Sequence, residues 1–193
     1  MNTPSMDILE LIKTRRSIAQ FKPDPIPRRL IEELLDAAVW APNHRLTEPW
    51  QFFVLGEESK RRFAEIRREA RRSLLPNPDA PEAQAALHKI YEDTVRTPAI
   101  VVFTSAGHPD PELQEENYWA TFAAAYAVML AAWAHGIGTY FRTGRGIVDG
   151  APLRTLLGLP DDRRIIGVLY LGYPAAVPQK RRTPAAEKTI WLP

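Results

Sequence analysis

The seventeen residues from Tyr118 to Ala134, YWATFAAAYAVMLAAWA, carry no charge, and no other stretch restricts the fold as much. As an α-helix they reach only about 25 Å at 1.5 Å per residue, short of the ~30 Å hydrocarbon core of a bilayer. The run therefore reads as a helix buried in protein, and the rest of the chain has to wrap it. Its small residues, Ala123, Ala124, Ala125, Ala127, Ala131 and Ala132, suit close packing inside one subunit or across a dimer, and both arrangements stay open. The acidic PELQEEN segment supplies a start for this helix, and Gly136 and Gly138 supply its stop.

Around that helix the hydrophobic spacing predicts a single domain spanning residues 1–193, a length suited to one core. Ser5 is placed to cap a first helix with Asp7 in its first turn and Ile8, Leu11 and Ile12 at helical spacing. A second helix opens at Pro27 and carries Leu30, Ile31, Leu34, Leu35 and Ala38 on one face. The pattern from Glu57 to Leu75 is helical and charged, with Glu57–Arg61 and Glu58–Arg62 at i,i+4 spacing. PNPDAP, residues 76 to 81, reads as a flexible excursion, and a further helix runs from about Glu82 to Val95. A short helix covers Pro152 to Leu157, and strands are expected at Trp50–Leu55, Ala99–Thr104, Gly138–Arg142 and Ile165–Leu171. Five or six helices and four strands without regular β-α-β alternation predict an α+β fold, with helices packed around a small mixed sheet.

Composition removes several function classes. Lys and Arg number 25 against 23 Asp and Glu, a net charge of +2, so wholesale binding to nucleic acid or to a membrane surface is not expected. The run KRRFAEIRREARR, Lys60 to Arg72, interleaves glutamates that repel phosphate and reads as a solvated helix face. The chain has no cysteine, which removes disulfides, thiolate nucleophiles and iron–sulfur ligation and fits a reducing cytoplasm. No secretory signal is evident at the N-terminus. His44, His88, His108 and His135 show no metal-ligand spacing. GIGTYF and GRGIVDG place Phe141 and Asp149 where a dinucleotide fingerprint needs its third glycine.

Three basic clusters and one loop remain. Arg15, Arg16 and Ser17 offer two guanidinium forks and a hydroxyl, either a phosphate site or a basic helix end. Arg142, Thr143, Gly144, Arg145 and Gly146 form a basic turn after a strand, where backbone N–H groups can approach a ligand. Lys180, Arg181 and Arg182 lie in a proline-rich tail that ends in TIWLP. The loop WAPNHRLTEPWQFFVL, residues 40 to 55, places an amide, an imidazole and a guanidinium between Pro42 and Pro49, more polarity than a connector needs.

The order of RRSIAQF, WAPNHRLTEPWQFFVL, GIGTYFRTG, IIGVLYLGYP and KRRTP resembles the nitroreductase family of flavoproteins from Ile8 to Leu192. The Asn-His loop is similar to that of a shorter branch of the family with Asp or Asn before His. The resemblance implies an FMN-dependent homodimer with the flavin at the subunit interface and a tail that extends onto the partner. It implies NAD(P)H as electron donor, and a nitroaromatic or quinone-like acceptor reduced in a ping-pong cycle. Arg15 and Ser17, with Arg16 beside them, are the implied phosphate and ribityl ligands, completed by Lys180 and Arg182. Phe141, Arg142, Thr143 and Gly144 are implied along the flavin edge, with Gly144 N–H donating to N5, while Arg142 is an alternative partner for phosphate or substrate charge. Asn43 and His44 are implied to reach the partner's flavin. An FMN-storing or FMN-sensing protein with little turnover, and a basic interaction module using Lys60 to Arg72, are the competing readings.

Overall fold

The uncharged stretch is the middle of a 24-residue helix. In the computed structural model, which describes residues 7–144, 147 and 150–193, that helix is α5 (Pro111–Ala134). It is preceded by α1 (Ile8–Thr14), α2 (Arg28–Ala38), a 3-10 turn (His44–Leu46), β1 (Trp50–Val54), α3 (Glu57–Arg72), α4 (Pro81–Val95) and β2 (Ala99–Ala106). It is followed by β3 (Gly138–Arg142), α6 (Ala151–Leu157), β4 (Arg163–Gly172) and a second 3-10 turn (Ala185–Lys188). Asp110 caps α5 by accepting from the Glu112 N–H at 2.9 Å, and Pro111 occupies the first turn, where no N–H is needed. At the other end Gly136 takes φ +71°, and the Gly136 and Ile137 N–H groups return to the Trp133 and Ala132 carbonyls.

The four strands form one sheet in the order β1-β2-β4-β3, and every pairing between them is antiparallel. The sheet expected to be mixed is therefore antiparallel in all its strand pairings, and the parallel bridge from Ser17 to Thr139 lies outside them. The inner strands β2 and β4 are buried on both faces, so they read as continuous apolar runs rather than alternating ones. α5 crosses one face and touches all four strands, burying Ala124, Ala125, Val128 and Ala132 beside Val101, Phe103, Leu169 and Leu171. α2 packs on α5 through Leu34 and Ala38. The opposite face carries Ile100, Val102, Val168 and Tyr170 under Phe63 of α3 and Leu153 of α6.

Several local expectations shift. Ser5 lies outside the described residues, and α1 is capped by Asp7, whose carboxylate accepts from the Leu9 N–H at 3.3 Å. Pro27 is the N-cap of α2 rather than its first helical residue. Glu58 pairs with Arg62 at 2.6 Å as the spacing implies, but Glu57 pairs with Lys60 at 3.0 Å instead of Arg61. The reason is burial: Lys60 is only 6% exposed and also donates to the Thr97 carbonyl, so its ammonium takes the nearest carboxylate. The loop after α3 is tied down at both ends, by Arg72 to Asp79 at 3.0 Å and by Gln84 Nε2 to the Pro78 carbonyl at 2.8 Å.

Candidate functional site

The site forms along the open edge of β3. After α1 the backbone turns extended at Arg15, and the following residues lie against the start of β3, with the Ile18 N–H donating to the Thr139 carbonyl at 2.9 Å. Ile18 is fully buried, and this close approach needs a glycine at 138: a Cβ there would sit 2.9 Å from Ile18 Cβ and 3.0 Å from Pro174 Cγ. Beyond β4 the chain pairs back onto the same segment, through Lys22 N–H to the Tyr173 carbonyl and Ala175 N–H to the Gln20 carbonyl. These crossings leave a groove of about 620 Å³ whose lining includes Ser17, Tyr140, Phe141, Pro178 and Lys180. Ser17 and Lys180 thus share one groove although they lie at opposite ends of the chain.

The other basic residues divide. Arg15 is half-buried, and its Nε is buried without a hydrogen-bond partner. Arg16 donates to the Lys13 carbonyl at 2.6 Å and to the Arg15 carbonyl at 2.9 Å, so its guanidinium closes the C-terminal end of α1, where a cation is favoured. Arg182 is exposed and lines no described cavity wall, while Thr143 and Gly144 are exposed just beyond β3. Arg145 and Gly146 lie outside the described residues.

Strand alternation separates the side chains of Phe141 and Arg142. The Phe141 ring packs toward α5, with centroids 5.4 Å from Phe122 and 6.4 Å from Phe103. Arg142 goes to the opposite face, its guanidinium 4.5 Å from the Tyr140 ring centre and 5.0 Å from that of Tyr170. Arg142 therefore lies in a second cavity with Arg67 and Tyr170, neither of which was singled out from sequence.

The polar loop is held by its own side chains. Arg45, Leu46 and Glu48 have φ of 53°, 54° and 43°, unusual for residues with a Cβ. Asn43 ties this geometry: its Oδ1 accepts from the Glu48 N–H at 3.0 Å, and its Nδ2 donates to the Ala41 carbonyl at 3.2 Å. Both ends of the amide are engaged within the loop. Thr47 donates to Asn117 Oδ1 at 3.0 Å, so it is an anchor rather than a bare turn residue. His44 Nδ1 lies 2.6 Å from Glu116 Oε2, and Arg45 Nε donates to His44 Nε2 at 3.1 Å. Those two partners are satisfied together by the neutral tautomer with its proton on Nδ1, an assignment made from the hydrogen-bond network. Glu116 was legible only as part of an acidic helix start. Neither Asn43 nor His44 lines the β3 groove.

No helix among the described residues is long and apolar enough to cross a membrane. No group of three or more His, Asp or Glu suited to a metal occurs among them.

Residues 12–173 match the model of the nitroreductase family. A Bacillus subtilis (strain 168) protein named "Putative NAD(P)H nitroreductase YfhC" is 30% identical over 180 residues, covering 93% of this chain and 91% of that one. The crystal structure of a nitroreductase-like family protein from Bacillus cereus is 31% identical, with a TM-score of 0.83, and covers 100% of this chain and 99% of that one. A Desulfovibrio desulfuricans protein solved in complex with FMN has the same fold at 21% identity, with a TM-score of 0.75 and coverage of 98% of each chain. With the family pattern running from the end of α1 to the end of β4, on the fold and register described above, this chain belongs to the nitroreductase family.

Proposed function

We propose that the protein is a cytoplasmic, FMN-dependent oxidoreductase, which as a homodimer passes a hydride from NADH or NADPH to a nitroaromatic or quinone-like acceptor in a ping-pong cycle. The observation that carries this reading is the groove along β3, which Ser17 and Lys180 line together with Tyr140 and Phe141, with Thr143 and Gly144 exposed just beyond the strand. Arg15 Nε, buried and unpartnered, and the position of Gly144, with nothing within 4 Å of a Cβ there among the described residues, fit a molecule with an anionic end and a planar hydrogen-bonding end. When bound, FMN supplies the two-electron chemistry itself. Arg15, Ser17, Lys180 and Arg182 would hold its phosphate and ribityl chain, each charged hydrogen bond contributing roughly 1.5 to 3 kcal/mol. The Phe141–Gly144 backbone would meet the flavin edge, with Gly144 N–H donating to N5. His44, oriented by Glu116, would present its imidazole to the partner's cofactor or to an entering acceptor. The relatives solved with FMN or named as NAD(P)H nitroreductases support this reading.

The homodimer is supported by α5, which is apolar nearly all round. Its sheet face is buried, whereas Trp119 is 65% and Phe122 49% exposed in a single chain. Trp40 and the tail residues Ile190, Trp191 and Leu192 are each at least 85% exposed. These exposed apolar side chains support a contact with another chain, and a second copy is the proposed occupant. Size-exclusion chromatography with light scattering, followed by FMN extraction, tests both statements. A dimer with one FMN per chain is expected, and a monomer that takes up no FMN overturns them.

A further inference from the structure

The face of the sheet under α3 and α4 carries a cation cluster whose guanidiniums the proposed flavin contacts do not use, although the resemblance also offered Arg142 as a partner for phosphate or substrate charge. A cavity of about 550 Å³ opens there, with Lys89, Arg96, Arg67, Arg142, Tyr140 and Tyr170 on its walls. Two of its cations are neutralised: Lys89 pairs with Asp93 and Arg96 with Glu92, each at 3.0 Å. Neither Arg67 nor Arg142 makes an ion pair among the described residues; Asp93, on the same wall, is taken by Lys89 and acts on Arg67 only at longer range. Arg67 donates only to Thr94 Oγ1, at 2.6 Å, and Arg142 Nε is buried without an acceptor. Both guanidiniums face the Tyr170 ring, at 5.5 and 5.0 Å from its centre. Tyr170 is 4% exposed, and its hydroxyl makes no hydrogen bond of acceptable geometry. Buried donors without acceptors and half-buried charges without an ion-pair partner both cost free energy, and here they line one space.

We propose that this cavity binds the phosphate group of a phosphomonoester, at a position distinct from the flavin phosphate. The two uncompensated charges match a phosphate dianion, whereas a monocarboxylate offsets only one of them. The guanidinium forks and the Tyr170 hydroxyl supply donors to its oxygens. Burial, and then the neighbouring Arg142 charge, push the Arg67 guanidinium below its ordinary range, a penalty that a bound anion relieves. Burial pushes the Tyr170 phenol up, so it remains a donor at neutral pH. The cavity is larger than bare phosphate needs, and Phe21 and Tyr140 on its walls offer aromatic surface to an organic remainder. It shares Ala19, Gln20 and Tyr140 with the β3 groove, so a ligand seated here adjoins the proposed flavin site.

Isothermal titration of the protein as purified, with inorganic phosphate and with acetate at matched ionic strength, tests the proposal. Phosphate is expected to bind and acetate not. Arg67→Met should weaken phosphate at least about tenfold and Tyr170→Phe several-fold, both with unchanged FMN content. Tyr170→Phe keeps the ring and the fold if Arg67→Met fails to fold. Phenyl phosphate binding more tightly than phosphate identifies an organic phosphomonoester as the source, and equal binding identifies free phosphate. Equal binding of acetate and phosphate, or unaltered phosphate affinity in Tyr170→Phe and in any Arg67→Met that folds, overturns the proposal. Loss of FMN in Arg67→Met, or displacement of FMN by phosphate, also overturns it, because the cavity is then the flavin's own cradle and the flavin reading survives. A protein without FMN that still binds phosphate through Tyr170 separates the two in the opposite sense.

Discussion

Replacing Gly167 with alanine probes whether the position of Phe141 depends on the missing side chain beneath it. A Cβ at 167 would lie 2.6 and 2.9 Å from Phe141 Cε1 and Cε2, with Cζ nearer still. Carbon atoms pack at about 3.5–4.0 Å, so the ring has to retreat by roughly an ångström. Retreat is blocked by Phe122 and Phe103, whose centroids stand 5.4 and 6.4 Å away. Overpacking of this kind costs about 1–3 kcal/mol. For a chain of this size each kcal/mol moves the melting temperature by roughly 2–4 °C, so a drop of ~2–12 °C is expected. The same displacement shifts the backbone leading to Thr143 and Gly144, so FMN affinity should fall as well. Thermal unfolding and flavin titration measure the two effects. Gly56→Ala is the control, because nothing lies within 4 Å of its Cβ position. A melting temperature within a degree of the parent, with unchanged FMN affinity, would refute the packing argument.

Gly144→Ala reverses that pattern: its Cβ meets nothing within 4 Å among the described residues. Stability should change by less than about 0.5 kcal/mol while FMN affinity falls, and an unchanged affinity removes Gly144 from the site. Glu116→Gln and His44→Ala should alter turnover or acceptor choice more than stability, because His44 and Glu116 are 45% and 28% exposed and such a pair contributes only about 0–1 kcal/mol. Steady-state kinetics with two acceptors, beside denaturant unfolding, reads this, and a large stability loss with unchanged kinetics goes against it. Arg182→Ala should weaken FMN binding and leave the melting temperature in place, since the side chain lies in an exposed tail outside both core clusters. Unaltered flavin affinity there rejects the tail's part in the site.

Local signals made the frame legible. The uncharged run, the glycine at its end and the two continuous apolar strands located α5, β2 and β4, because helix stops and doubly buried strands depend on residues close in sequence. The resemblance implied one site for Ser17, Lys180 and Gly144; the first two line one groove with Phe141, and Gly144 lies three residues beyond Phe141. Contacts between distant residues were not legible. Glu116 lies 72 residues from His44, and Asn117 lies 70 from Thr47. Asn43, which the resemblance implied as a ligand, makes two bonds to its own loop, and these depend on backbone angles that no residue pattern announces. The run from Lys60 to Arg72 read as a solvated face, yet Lys60 is buried and Arg67 turns inward to Thr94. Charge spacing along one helix does not say which cations a second helix will cover.

Anaerobic titration of the purified protein with NADH and with NADPH, followed at the flavin absorption bands, bears most directly on an FMN-dependent oxidoreductase. Bleaching at about one nicotinamide per flavin, as expected for a two-electron cofactor, with colour restored by a quinone or nitroaromatic, is the predicted result. A yellow protein that neither nicotinamide bleaches, or a colourless one that takes up no added FMN, would contradict it.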